Sequence, residues 1–260
     1  MSGKVYLVGA GPGAPELLTL KAARILSRAN VVLHDALVSR EVLALICPHA
    51  ERIEVGKRCE SKLFTQDEIN SLLVSCVASH EVVVRLKGGD PLIFGRAAEE
   101  IEFLRKAGVD FEIVPGITSG IGAAAAAGVS LTDRRVASQV LFTTIRRGMK
   151  DRPIQWDSLS SATTLVVYMP GSDYTCVAQQ LQEAGFPGDI PCAVVSNATG
   201  HNQKILRTSL ANLSAKPTLP APALIIVGRV VGASAIEIGS EFLVGRLQAS
   251  ARSIRRVSDI

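Results

Sequence analysis

Asp90 follows two glycines and precedes a proline, inside the run VVRLKGGDPLIFGRAAEE at 83–100. Val82, Val83, Val84 and Leu86 predict a buried strand. Gly88 and Gly89 break it and let backbone approach another group closely. Pro91 keeps Asp90 out of helical geometry, and Arg96, Glu99 and Glu100 open the helix that follows. A carboxylate on a glycine elbow at a strand's carboxyl end lies where open α/β sheets bind ligands. The bland reading of the same run is a strand–turn–helix link.

Four further groups carry chemistry. In VGAGPGAPELLTL, from Val8, the spacing of Gly9, Gly11 and Ala14 matches a dinucleotide fingerprint, with Asp35 about twenty residues on. Pro12 argues against it, because it removes an amide N–H from the turn that would cradle a pyrophosphate. The motif therefore reads as a dinucleotide site, another nucleoside site or a plain tight turn. In VVLHDALVS, from Val31, a strand delivers His34 and Asp35 to its end, and Asp35 is a base, a ligand anchor or a helix cap. In VGKR, from Val55, Lys57 and Arg58 follow a turn glycine; a solvated pair is the default for such residues. In VPGITSG, from Val114, Thr118 and Ser119 begin a helix, as caps or as hydroxyls offered to a ligand. Pro12, Asp35, Lys57, Asp90 and Thr118 all fall at the carboxyl ends of successive strands, so one cleft can collect them.

The elements that position them alternate. Strands are expected at Val5–Val8, Val31–Leu33, Ile53–Val55, Val82–Leu86 and Phe111–Val114. Helices are expected at Glu16–Arg28, Ile69–Ala78 (after a Thr65–Glu68 capping box) and Ala97–Ala107. That order predicts a mostly parallel sheet with right-handed crossovers. Pro115-Gly116 divides the chain into an amino-terminal α/β domain, 1–115, and a second α/β domain, 116–232, with a tail at 233–260. The second domain begins with the small-residue helix Gly120–Gly128. It continues with strands Val140–Thr144, Leu165–Tyr168, Ala193–Ser196, Ile205–Arg207 and Leu224–Val227, and a helix at Asp173–Ala184. The strands at 193–196 and 205–207 read as antiparallel, which makes the second sheet mixed. Residues 146–157 read as an exposed loop.

Composition narrows the function. The 260 residues are 47% hydrophobic, 20% charged and 4% aromatic, with a formal net charge of +4. Such a chain is globular with an aliphatic core. Mild basicity suits an acidic small molecule, and the scattered Lys and Arg do not form a nucleic-acid surface. Five cysteines, Cys47, Cys59, Cys76, Cys176 and Cys192, lack a CxxC pair, and His34, His49, His80 and His201 lack metal-ligand spacing. The sequence thus predicts no metal, no disulfide framework, no membrane span and a reduced cytoplasmic setting.

GAGPG with LLTL at 9–20, DALVS at 35–39, VGKR at 55–58, Gln66, Glu68 and Asn70, RLKGGDPLIFGR at 85–96 and VPGITS at 114–119 occur together in order. With them the chain resembles the tetrapyrrole (class III) methyltransferases, over roughly residues 3–232. KGGDP…FGR and VGKR point within that family to the uroporphyrinogen-III C-methyltransferases. The resemblance implies two α/β domains with S-adenosyl-L-methionine in the cleft between them, and a homodimer. Pro12, Gly88, Gly89, Asp90, Ile93, Thr118, Ser119, Met169 and Ala198 would line the cofactor site. Asp35 and Lys57 resemble the family's proton acceptor and donor. Arg96, Glu99 and Arg134 match substrate-contacting positions, with Arg96 a rival base, and Arg58 is a further anchor. The implied reaction methylates uroporphyrinogen III twice to give precorrin-2, on the sirohaem, cobalamin and haem d1 branch. Its rivals are a precorrin methyltransferase acting at another carbon, an NAD-binding oxidoreductase, and a binding protein without turnover. The chain departs from the family at His34, Asp133, Thr144–Arg146, Pro170 and Ala198. Asp133 brings a negative charge toward a many-carboxylate substrate unless Arg134 or Arg135 pairs with it.

Overall fold

A computed structural model of the chain describes residues 3–56, 64–144, 159–160 and 162–233. Two five-stranded sheets carry the architecture. The first contains β1 (Lys4–Gly9), β2 (Val31–His34), β3 (Glu51–Glu54), β4 (Val82–Lys87) and β5 (Phe111–Val114). Its order is β3-β2-β4-β1-β5, and every pairing is parallel. It is thus wholly rather than mostly parallel. Parallel strands are covered on both faces, and successive residues of β4 separate accordingly. Val83 joins the cluster with Leu73 of α3 (Gln66–Ser79) and Leu104 of α4 (Ala97–Lys106). Val84 and Leu86 join the opposite cluster with Ile25 of α1 (Leu20–Leu26) and Val42 of α2 (Arg40–Leu43).

The second sheet runs β6 (Gln139–Thr144), β7 (Thr163–Tyr168), β10 (Ala223–Val227), β8 (Pro191–Ser196), β9 (Lys204–Ser209). Only β6 and β7 pair in parallel; the other pairings are antiparallel, including β8 with β9. One face packs on α5 (Ser119–Ala126) and α7 (Arg229–Ala233), the other on α6 (Thr175–Glu183).

Local chemistry sets the element ends. The capping box forms as expected: Glu68 N donates to Thr65 Oγ1 at 3.2 Å and Thr65 N to Glu68 Oε2 at 2.6 Å. The helix expected over Glu16–Arg28 is instead a single 3-10 turn at Pro15–Leu17 followed by α1 from Leu20. Thr19 stays extended and accepts from Ala22 N at 3.2 Å, so its hydroxyl caps α1 and ends the earlier turn. The one-turn helix α2 was outside the expected elements, being too short for a hydrophobic period. Ser39 Oγ caps it and donates to Gly13 O at 2.7 Å. Lys57, Arg58, the loop 146–157 apart from its neighbours at 144 and 159, and the tail beyond 233 lie outside the described residues.

Candidate active site

The carboxyl ends of β1 and β4 are adjacent, because those strands pair from Lys4↔Val82 to Gly9↔Lys87. The turn leaving β1 and the elbow leaving β4 stay joined beyond the sheet through a bridge between Gly11 and Gly89. Gly89 takes φ +68°, which a side chain tolerates poorly. A Cβ there would stand 3.4 Å from Ser119 Oγ and 3.7 Å from Thr118 Cα. The elbow therefore lies against the start of α5. Gly122, one turn further, leaves no room for a side chain: a Cβ would come 2.6 Å from the Cβ of Pro12. The second sheet closes the group, since Ala14 N donates to Thr199 Oγ1 at 3.1 Å. The space at Gly13 is bounded by Ala198 O. Ile93 packs on the cluster that holds Tyr168 and Ala198.

Tyr168 ties β7 to α5. Its hydroxyl accepts from Gly120 N at 2.8 Å and shares a 2.7 Å hydrogen bond with Thr118 Oγ1. Burial pushes this phenol's pKa up, so it remains protonated. Its ring meets Phe94 at 4.9 Å. Left-handed backbone occurs at Phe94, Arg96, Met169, Asn197 and Thr199, all non-glycine. Each such residue costs about 1 kcal/mol or more, and all of them lie beyond the carboxyl ends of β4, β7 and β8. Contacts thus bring Pro12, Gly89, Ile93, Thr118, Ser119 and Ala198 into one group beyond the strand ends, with Gly88, Asp90 and Met169 beside Gly89 and Tyr168 in the chain.

The carboxylates divide by partner. Asp90 Oδ1 accepts from Leu92 N at 2.8 Å and Oδ2 from Gly116 N at 2.9 Å. Its charge is committed first to the protein's own backbone, stitching the elbow to the Pro115-Gly116 turn. Asp35 follows β2 and pairs with Arg85. Arg96 and Glu99, both half exposed, form a two-pronged pair, Nε–Oε1 at 2.7 Å and Nη2–Oε2 at 2.6 Å. The bond to Glu99 raises the Arg96 pKa further. Arg134 is exposed on a turn closed by Asp133 N to Ala137 O at 2.9 Å. The neighbouring Arg135, not Arg134, takes the Asp133 carboxylate, at 2.6 Å and 3.0 Å.

Sequence reasoning missed Arg85, Lys87 and Glu100. Arg85 and Lys87 alternate along β4 and so point to one face; both contact Glu100 Oε1, at 3.0 Å and 2.9 Å. Two charges at alternate positions of an otherwise apolar buried strand were the available signal. Burial, then the like charge of Arg85, lowers the Lys87 pKa. Among the described residues no set of His, Cys, Asp and Glu is arranged to hold a metal. A cavity of about 350 Å³ between Phe186, Pro191 and Arg229 lies at the amino end of β8, the opposite end from Asn197 and Ala198.

The dinucleotide reading fails on hydrogen bonds. Ala10 N donates to Lys87 O, Gly11 N to Gly89 O and Ala14 N to Thr199, and Pro12 has no N–H. The turn also leads to a 3-10 turn rather than into a helix amino terminus, which is what a pyrophosphate needs. The fold defines a two-sheet α/β protein whose first sheet carries a glycine turn closed on the elbow of the neighbouring strand.

Comparisons with known proteins agree with that class. Residues 4–214 match the model of the Tetrapyrrole (Corrin/Porphyrin) Methylases. The siroheme synthase of Neisseria meningitidis serogroup B is 46% identical over 232 residues, 88% of this chain and 48% of that protein. The chain thus spans about half the length of the curated relatives it matches. A crystal structure of uroporphyrin-III C-methyltransferase from Thermus thermophilus, complexed with S-adenosyl homocysteine, superposes with a TM-score of 0.78 at 39% identity. It covers 89% of this chain and all of that one. A cobalt precorrin-4 methyltransferase superposes with a TM-score of 0.75 at 31% identity, over 88% of this chain and 95% of that one. The chain belongs to the tetrapyrrole (corrin/porphyrin) methylase family.

Proposed function

We propose that this chain transfers two methyl groups in succession from S-adenosyl-L-methionine to carbons of uroporphyrinogen III, giving precorrin-2, as a cytoplasmic homodimer. The observation that carries the reading is the close approach of Gly89 to Thr118 and Ser119, with Pro12 packed on Gly122 one turn along the same helix and Ala198 O against Gly13. This lining of small side chains, hydroxyls and backbone suits a folded nucleoside sulfonium, and a relative of the same fold was crystallised with S-adenosyl homocysteine. We assign the cofactor to Pro12, Gly88, Gly89, Asp90, Ile93, Thr118, Ser119, Met169 and Ala198. The two sheets are read as two domains, 1–115 and 116–232, meeting at Pro115-Gly116.

When bound, S-adenosylmethionine supplies a methyl on a sulfonium, already a strong electrophile. What the chain must add is alignment and proton removal. Asp35 is the base in this reading: it stands at a strand end, partly exposed, with a single guanidinium partner. Arg96 suits that role poorly, because its bond to Glu99 makes the guanidinium still harder to deprotonate. Arg96 and Glu99 serve instead as a substrate-facing pair, with Arg134, exposed on its turn, and Arg58 as anchors for the carboxylates of the ring. Lys57 is kept as the proton donor; it and Arg58 lie outside the described residues.

Anaerobic incubation with uroporphyrinogen III and S-adenosylmethionine, followed by mass analysis, tests the reading. The expected product carries two added methyls, with a one-methyl intermediate early. No methylation of uroporphyrinogen III, with methylation of a precorrin instead, overturns the substrate assignment.

A further inference from the structure

Arg85 sits in the central part of the first sheet with 3% of its side chain exposed, beside Lys87 at 2% and Glu100 at 0%. Every arm of its guanidinium is occupied. Nε donates to Glu100 Oε1 at 3.0 Å. Nη1 donates to the carbonyls of Leu33 at 3.4 Å and Leu86 at 3.3 Å. Nη2 donates to Asp35 Oδ1. Behind it, Lys87 Nζ and Gln66 Nε2 hold the same oxygen of Glu100, at 2.9 Å and 3.3 Å. Asp35 is the one member of this chain of charges that reaches solvent, at 29%.

We infer that Arg85 is the positioning residue that aims the Asp35 carboxylate outward from the carboxyl end of β2, with Glu100, itself held by Lys87 and Gln66, clamping its guanidinium from behind. This inference rests on the reading of Asp35 as the base. Desolvating several charges is costly, and apolar side chains of similar volume would pack this layer at least as well. Their neighbours Val83, Val84 and Leu86 do so. What apolar residues cannot do is hold a carboxylate at a fixed angle. The rigid fork of arginine reaches Glu100 and Asp35 at once; a lysine ammonium has no such fork. The main chain of Asp35 is fixed as well, through its N–H to Leu86 O at 3.1 Å, so the remaining freedom is the side-chain rotation that Nη2 removes.

The test is a double-mutant cycle read by single-turnover methyl transfer and by calorimetry with S-adenosylhomocysteine. Arg85→Lys is expected to slow methyl transfer by about 10²-fold, the cost of a small misplacement of a reacting group. Its affinity for S-adenosylhomocysteine should stay within about twofold of wild type. In an Asp35→Ala background the same change should slow transfer less than about twofold, because Arg85 acts through Asp35. Equal factors in both backgrounds, or a parallel loss of affinity, overturn the inference. A second measurement needs neither turnover nor a stable Arg85 variant: nitrogen-15 spectra of the arginine side chains in the free protein. Wild type should show slowly rotating, separately resolved Nη protons for Arg85, and Asp35→Ala should average the Nη2 pair while Nη1 stays held by the Leu33 and Leu86 carbonyls; an unchanged Nη2 pair overturns the inference. A wild-type chain that transfers no methyl to uroporphyrinogen III defeats the reaction reading instead, while the spectra still decide whether Asp35 and Arg85 are coupled.

Discussion

Gly11 and Gly89 exchange two backbone hydrogen bonds, Gly11 N to Gly89 O at 3.1 Å and Gly89 N to Gly11 O at 2.8 Å. The pair closes the GAGPG turn onto the GGDP elbow and spends donors that a Rossmann loop would give to a pyrophosphate. S-adenosylhomocysteine at a hundred times its dissociation constant should therefore raise the melting midpoint by about 5–10 °C. NAD at the same concentration should leave it unchanged. A rise with NAD alone would restore the oxidoreductase.

Asp90 holds two amides, Leu92 N and Gly116 N. Asp90→Ala should loosen the elbow, lowering folding stability by about 1.5–3 kcal/mol, the range for a hydrogen bond to a charged group, and should weaken cofactor affinity with it. Asp90→Asn should do nearly the same, since an amide side chain has one oxygen for two N–H donors. Calorimetry with S-adenosylhomocysteine checks both; wild-type affinity in either variant would remove Asp90 from the site.

Gly122 and Gly108 separate close packing from backbone freedom. A Cβ at Gly122 would meet the Pro12 ring at 2.6–2.7 Å, whereas at Gly108, with φ +66°, nothing lies within 4 Å. Gly122→Ala should cost about 1–3 kcal/mol as overpacking and lower cofactor affinity too. Gly108→Asn, which tolerates the left-handed region, should be nearly neutral. Urea denaturation of both variants measures the difference.

Asp133 is paired by Arg135, through the side chain first and the backbone N–H second, and its pKa falls from 3.8 to about 2. A lowered carboxylate pKa contributes stability that is complete above the unfolded value and lost as pH falls through the folded one. The turn should therefore hold above pH 4 and loosen toward pH 2, as seen in the carbon-13 titration of the Asp133 carboxyl. Arg135→Ala should leave that negative charge unpaired and raise KM for a many-carboxylate substrate by no more than about fivefold, with kcat unchanged.

Burial pushes the Cys192 thiol up to about 12, while Cys176 is exposed. The thiolate is the reactive form. Iodoacetamide at neutral pH should label Cys176 and spare Cys192 until the chain unfolds; peptide mass mapping reads the order.

Much of the fold was legible because its signals are local. Runs of Val, Ile and Leu marked β1, β2, β4, β7 and β10, and Thr65 with Glu68 marked the start of α3, each within a few residues. The start of α1 was not, because the apolar spacing from Glu16 continues unbroken while the Thr19 hydroxyl ends one turn and caps the next. The single turn at Arg40–Leu43 offered no period at all.

By itself the sequence determined the alternation of elements, the glycine elbow at Gly88–Asp90 and the membership of a methylase family, all written in short contiguous motifs. Tertiary structure alone decided that Asp35 faces Arg85 across fifty positions, that Asp90 spends its oxygens on Leu92 and Gly116, and that Arg135 rather than Arg134 neutralises Asp133. The first depends on β2 lying beside β4 with His34 opposite Leu86. Strand order and register bring distant charges together, and burial between the sheet and α4 then forces them to pair, because an unpaired charge there would have no water to solvate it.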